Sequence, residues 1–159
     1  MIALLHNIRS LHNVGSIFRT ADAVGVEKIY LCGITPTPLD EFNQPRPQMT
    51  KVSLGAEKTV PWDGSARSSQ TISKLIVKLK KDGYKIFALE ISPKAIEYNK
   101  LKKFKKFKIA IIVGNEVKGL PPAILKKADK ILSIPMRGKK ESLNVAVAFG
   151  IVAYHISLL

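Results

Sequence analysis

Acidic residues are scarce in this chain: 12 Asp and Glu stand against 26 Lys and Arg, giving a formal charge of +14 and a pI near 10.0. A surplus of that size attracts polyanions at long range, so nucleic acid is the leading partner and an anionic membrane surface the rival. No lipidation signal or strongly amphipathic basic helix supports the membrane, and none is expected as a partner. Cysteine is reduced to Cys32. That excludes an internal disulfide, suits a reducing compartment and makes Cys32 a filler of core space. His6, His12 and His155 are too scattered for a zinc site, so no metal is expected. Also missing are the Gly-x-Gly-x-x-Gly turn of dinucleotide sites, the phosphate loop ending in Gly-Lys-Ser/Thr and the Gly-x-Ser-x-Gly elbow of hydrolases. The start, Met1 to Asn7, lacks the basic region and the apolar length of a signal peptide, which makes a cytoplasmic location the default.

What is present is alternation. The 159 residues fit one domain, residues 1–159, with a core of self-sufficient size. Ile2 to Leu5 suits a first strand, Glu27 to Cys32 a second and Tyr84 to Ile91 a third long one, while Ile109 to Val113 and Lys130 to Ile134 are further apolar runs rich in β-branched residues. Between them, Ile72, Leu75, Ile76 and Leu79 recur at helical spacing, closed by Asp82-Gly83, and Pro121-Pro122 suits the first turn of a short helix. Strands alternating with helices predict an α/β fold, a mainly parallel sheet with helices on both faces. The last helix, Leu143 to Leu159, is apolar almost all round, which predicts burial on most sides and a face for a subunit interface. It falls short of the roughly 20 apolar residues of a membrane span and carries Asn144, His155 and Ser157.

In an open parallel sheet, ligands settle beyond the carboxyl ends of the strands. Three polar turns fall at such ends. The first follows the first strand, where Asn13 is positioned to cap a helix carrying Ile17, Ala21 and Val24 inward, and Arg19 stands near the start of that helix. The second is Gly114 to Gly119, with Glu116; the third runs from Met136 to Asn144 and includes Ser142. Asn, Arg, Glu and Ser in these turns suit positioning and charge stabilisation better than metal-assisted hydrolysis. Two other stretches stand out: the proline-rich loop from Thr35 to Pro47, long enough to cover a substrate, and the segment from Lys74 to Lys108, where 12 lysines face Asp82, Glu90 and Glu97, a net of 12 − 3 = +9.

The ordered motifs resemble the SpoU/TrmH family of the SPOUT class of RNA methyltransferases, over nearly the whole chain. The first motif is Asn13-Val14-Gly15-Ser16-Ile17-Phe18-Arg19-Thr20, the second Ile112 to Leu120 and the third Ile134-Pro135-Met136 through Ser142-Leu143-Asn144-Val145-Ala146; Ser53-Leu54-Gly55-Ala56-Glu57 matches a segment between the first two. The resemblance implies a C-terminal trefoil knot, S-adenosyl-L-methionine as cofactor, and a homodimer that methylates a ribose 2′-hydroxyl of RNA, tRNA ahead of rRNA. A catalytically silent RNA-binding module and a base methyltransferase are the alternatives. Carried over by position, the cofactor contacts fall on Leu89, Gly114, Ile134, Met136, Ser142 and Leu143, with Gly114 letting backbone approach the ligand. Catalysis falls on Arg19, with Asn13, Glu116, Ser142 and Asn144 in support. Because a guanidinium holds its proton so strongly, Arg19 fits a clamp on RNA phosphate better than a base.

Overall fold

The computed structural model describes residues 1–102 and 108–159. Lys103, Phe104, Lys105, Lys106 and Phe107, five residues of the lysine-rich segment, lie outside the described residues. Seven strands form one sheet in the order β3-β2-β1-β6-β4-β7-β5: β1 (Ile2–His6), β2 (Lys28–Cys32), β3 (Trp62–Asp63), β4 (Tyr84–Leu89), β5 (Ile96–Glu97), β6 (Lys108–Val113) and β7 (Lys130–Ser133). Every pairing between them is parallel. The interior strand β1 bonds β2 on one side, with Ile2 opposite Lys28, and the central strand β6 on the other, with Ile2 opposite Ala110. All five side chains of β1 are buried, as expected of a strand covered on both faces.

The period of two sorts those side chains into two cores. Ala3 and Leu5 face a cluster with Ile29, Leu31, Ile111 and Val113, covered by α1 (Leu11–Ala23), α2 (Pro47–Ser53), α3 (Ala56–Thr59) and α6 (Val145–Ser157). Ile2 and Leu4 face the other, with Ile86, Ala110 and Ile112, under α4 (Ser69–Lys81) and α5 (Pro122–Leu125). Cys32 lies in this second cluster, where burial pushes its thiol up to about 12. The α/β expectation of a parallel sheet with helices on both faces is met.

Local details differ from the sequence reading. The cap of α1 is Ser10, whose hydroxyl accepts from Asn13 N at 3.3 Å; Asn13 itself is already inside the helix. The helix therefore starts earlier, and Arg19 sits on its third turn rather than near its start. Pro47, at the end of the proline-rich loop, opens α2, and the left-handed Leu54 and Gly55 separate it from α3. Helix α6 is buried or half-buried on most sides, with Phe149, Val152 and Ala153 fully buried, but one stripe, Val147 and Tyr154 with Leu158 just past its end, is about half exposed or more. Among the described residues no helix is long and apolar enough to cross a membrane.

Candidate active site

The carboxyl ends of β4, β6 and β7 carry the loops that enclose a cavity of about 430 Å³. That volume lies in the range of small-molecule sites. Leu89 ends β4, Gly114 follows β6, and Ile134 and Met136 follow β7; each lines the cavity. Ser142, Leu143, Glu116 and Asn144 line it as well. All six positions expected at a cofactor thus surround one space, with Leu89, Ile134, Met136 and Leu143 supplying an apolar wall suited to a planar ring.

Hydrogen bonds tie the three sequence motifs to one another. The Glu116 carboxylate accepts from the backbone N–H groups of Arg9 at 3.1 Å and Ser10 at 3.1 Å, and from the Asn13 amide at 3.0 Å. Asn13 Oδ1 in turn accepts from Asn144 Nδ2 at 3.0 Å, while Asn144 Oδ1 caps α6 by accepting from Ala146 N at 2.9 Å. Asn13 therefore works as a cross-link between the second and third motifs instead of as a helix cap. Burial pushes the Glu116 pKa up, but the bonds from Asn13, Arg9 and Ser10 outweigh it and hold the carboxyl below its ordinary value. It is a fixed anion, buttressed on the side of α1.

The loop after β6 is pinned from below. Asn115 donates to the Asn7 carbonyl at 2.8 Å and accepts from Val117 N at 3.0 Å and Lys118 N at 2.9 Å. Glu90, just past β4, accepts from Leu120 N at 2.6 Å and Ile91 N at 3.1 Å. A Cβ on Gly114 would lie 2.5 Å from the Gly119 carbonyl carbon and 2.7 Å from Leu120 N. The missing side chain thus lets the two ends of the loop close on each other; that, rather than approach to a ligand, is the reason the geometry gives for Gly114. Sequence reasoning missed Glu90 and Asn115. A polar residue immediately after a buried strand in a parallel sheet was the available signal for both.

Arg19 is the exception among the expected residues. It is exposed on α1 and does not line the cavity of its own chain. Its neighbour Thr20 faces Gly150 of α6, where an added Cβ would stand 3.6 Å from Thr20 Cγ2. Among the described residues no group of three His, Cys, Asp or Glu is placed to hold a metal ion.

Comparison with known proteins finds relatives over nearly the whole chain. The chain is 30% identical over 155 residues to the tRNA (guanosine(18)-2′-O)-methyltransferase of Aquifex aeolicus, covering 97% of this chain and 67% of that protein. It is 31% identical over 155 residues to the 23S rRNA (guanosine(2553)-2′-O)-methyltransferase RlmP of Bacillus subtilis, spanning 57% of the relative's length. In three dimensions it superposes on the crystal structure of the A. aeolicus TrmH/SpoU tRNA modifying enzyme with a TM-score of 0.79 at 29% identity, covering 99% of this chain and 73% of that one. For the AdoMet-bound rRNA methyltransferase from Sinorhizobium meliloti the TM-score is 0.81 at 28% identity, covering 98% of this chain and 54% of that one. The profile of the SpoU rRNA Methylase family matches residues 1–154, so the chain whose three motifs meet at this cavity belongs to the SpoU methylase family.

Proposed function

We propose that residues 1–159 form a single methyltransferase domain that uses S-adenosyl-L-methionine to methylate a ribose 2′-hydroxyl of RNA. The observation that carries the reading is the run of hydrogen bonds from Glu116 through Asn13 to Asn144, which draws three motifs distant in sequence around one cavity. The residues fit the cofactor chemically: an apolar wall for adenine, and polar backbone and Ser142 at the mouth for its charged end. The cofactor supplies an electrophilic methyl on sulfur. What the protein adds is alignment of the sugar oxygen and an environment for the departing hydroxyl proton. Asn13 and Asn144 order the loops, Glu116 fixes the start of α1, and Ser142 stands at the mouth. Relatives that act on tRNA and on rRNA match about equally well; we retain tRNA as the preferred substrate on the strength of the Aquifex relative's larger coverage.

Arg19 enters this reading as the phosphate clamp, and a homodimer is part of it. The exposed apolar stripe of Val147, Tyr154 and Leu158 on α6 needs a cover, and α1, which bears Arg19, packs beside it. A second copy seated there supplies that cover and brings Arg19 toward the partner's cavity. Tyr154→Glu is then expected to shift the protein from dimer to monomer in sedimentation. The reading also includes the C-terminal knot, consistent with the loops after β6 and β7 lining one cavity, and a cytoplasmic location, supported by the single buried cysteine.

The test is nucleoside mass spectrometry of tRNA and rRNA incubated with the purified protein and labelled S-adenosylmethionine. A labelled 2′-O-methyl nucleoside is the expected product. Label on a base overturns the ribose assignment, and no transfer to either RNA, together with no cofactor binding, leaves the silent module standing.

A further inference from the structure

A second cavity, about 390 Å³, opens beside the first at the carboxyl edge of β1 and β2. Its polar lining is unusual: Arg9, Arg46 and Arg67 converge on it, joined by Thr35 and Thr37, with no carboxylate. Among the described residues none of these arginines forms an ion pair with an acidic group. Gathering three guanidinium groups costs energy through mutual repulsion, and Arg9 and Arg67 stand just before the N-caps of α1 and α4, where the helix dipole disfavours a cation. The fold nevertheless builds the arrangement. Arg67 Nη1 is fixed by the carbonyls of Gly33 at 2.9 Å and Thr35 at 2.7 Å. Gly64 leaves room for that guanidinium, since a Cβ there would come within 2.8 Å of Arg67 Nη2 and of Thr37 Cγ2. Buried Thr35 holds the floor by donating to Leu5 O at 2.7 Å and accepting from Ile8 N at 3.1 Å. Arg46 Nε is buried in the protein with no hydrogen-bond acceptor, a state that normally costs free energy.

We infer that this pocket is a phosphate subsite for the RNA strand, in which Arg9, Arg46 and Arg67 grip a backbone phosphate next to the reacting nucleotide. A phosphodiester matches the cluster: an anion relieves the repulsion, and its oxygens meet the fork of a guanidinium. The subsite is mechanically joined to the reaction cavity, because the backbone of Arg9 is held by Glu116 in the wall of that cavity. It also gives the proline-rich loop a role, since the one arginine of that loop, Arg46, completes the pocket. The inference rests on the RNA reading above and deepens it by locating where the strand is held.

The test compares Arg46→Gln, Arg46→Lys and Arg9→Gln with the unaltered chain in binding bulk tRNA across a salt series, with a thermal melt as the check on folding. Arg9→Gln keeps the backbone N–H that Glu116 holds, so it probes the side chain alone. Either neutral variant is expected to bind roughly tenfold more weakly. The slope of log affinity against log salt is expected to drop by about 0.7 to 0.9, one phosphate contact. Arg46→Lys, which keeps the charge and loses the fork, falls between. Inorganic pyrophosphate at matched ionic strength is expected to compete with tRNA for the unaltered chain and less for the variants. Folded variants that bind tRNA with unchanged affinity and slope overturn the subsite, as does pyrophosphate competition that is the same in all four proteins. An unaltered chain that methylates RNA while these variants bind normally sinks only the subsite, whereas an unaltered chain that neither binds nor methylates RNA sinks the parent reading with it.

Discussion

At the amino-terminal edge of the sheet, Lys80 and Lys85 lie 3.4 and 3.9 Å from the same Asp129 carboxylate, and Lys108 sits 5.5 Å above the centre of the Tyr84 ring. At the opposite edge, three arginines line a cavity without a carboxylate among them, and one carries a buried nitrogen with no acceptor. At the first edge two lysines share one carboxylate and a third lies over a ring, in solvated contacts of the kind that contribute little. The second holds few cations, and its architecture keeps them unneutralised beside the proposed reaction site. Net charge therefore predicts that a polyanion comes, while the proposed subsite lies where cations lack a carboxylate partner.

The strongest way to break this contrast is to remove a cation proposed to act at the carboxyl edge. Arg19→Ala should lower methyl transfer by about 100-fold, the order seen when one charge-stabilising donor is lost, with Arg19→Lys between it and the unaltered protein. If both turn over normally, Arg19 takes no part in the chemistry. Next in size is Glu116→Ala, which removes the acceptor for Asn13, Arg9 and Ser10. A loss of about 1 kcal/mol in unfolding free energy is expected, with weakened cofactor binding by calorimetry. Its pH signature follows from a lowered carboxyl pKa. The stabilisation is complete above the ordinary value of 4.5 and disappears as pH falls through the lower folded-state value, so the two proteins should converge in stability in acid.

Smaller still is the outcome at the amino edge. The pair Lys80→Gln and Lys85→Gln should change tRNA affinity by less than about twofold if these side chains touch no phosphate. A tenfold loss would reverse the comparison between the edges. The least change is expected at Cys32, at the end of β2: buried, with its thiol pushed up to about 12, it should resist alkylation at neutral pH in the folded protein and react only on unfolding.

Much of this was legible in the residues. The runs Ile2–Leu5 and Ile109–Val113 announce strands covered on both faces, and the observed β1 and β6 are such strands, paired with each other. The polar turns after Val113 and Ile134 lie where a parallel sheet binds ligands, which located the region, while the individual cavity-lining positions came from the family resemblance. Asn13 was harder. Ser10 and Asn13 are both good caps, and only the carboxylate of Glu116, 103 residues away, shows that the asparagine side chain is engaged elsewhere. Strand order was equally hidden, because hydrophobic pattern fixes which residues are buried but not which strand lies beside which. Arg9, Arg46 and Arg67 are spread over separate gaps between elements, and each alone reads as an ordinary surface cation. The half-exposed stripe on α6 escaped for a related reason: uniform apolarity does not say which side has a neighbour within the same chain.

The bond between Asn13 and Asn144 joins residues 131 positions apart. During synthesis the amino-terminal half of the pocket rim emerges long before its counterpart, and the pocket wall formed by Ser142 and Leu143 does not exist until translation has passed Leu143. Ligand capture thus waits on the third motif, and a product terminated before Ser142 should be unable to withdraw methyl donor from the cell's supply.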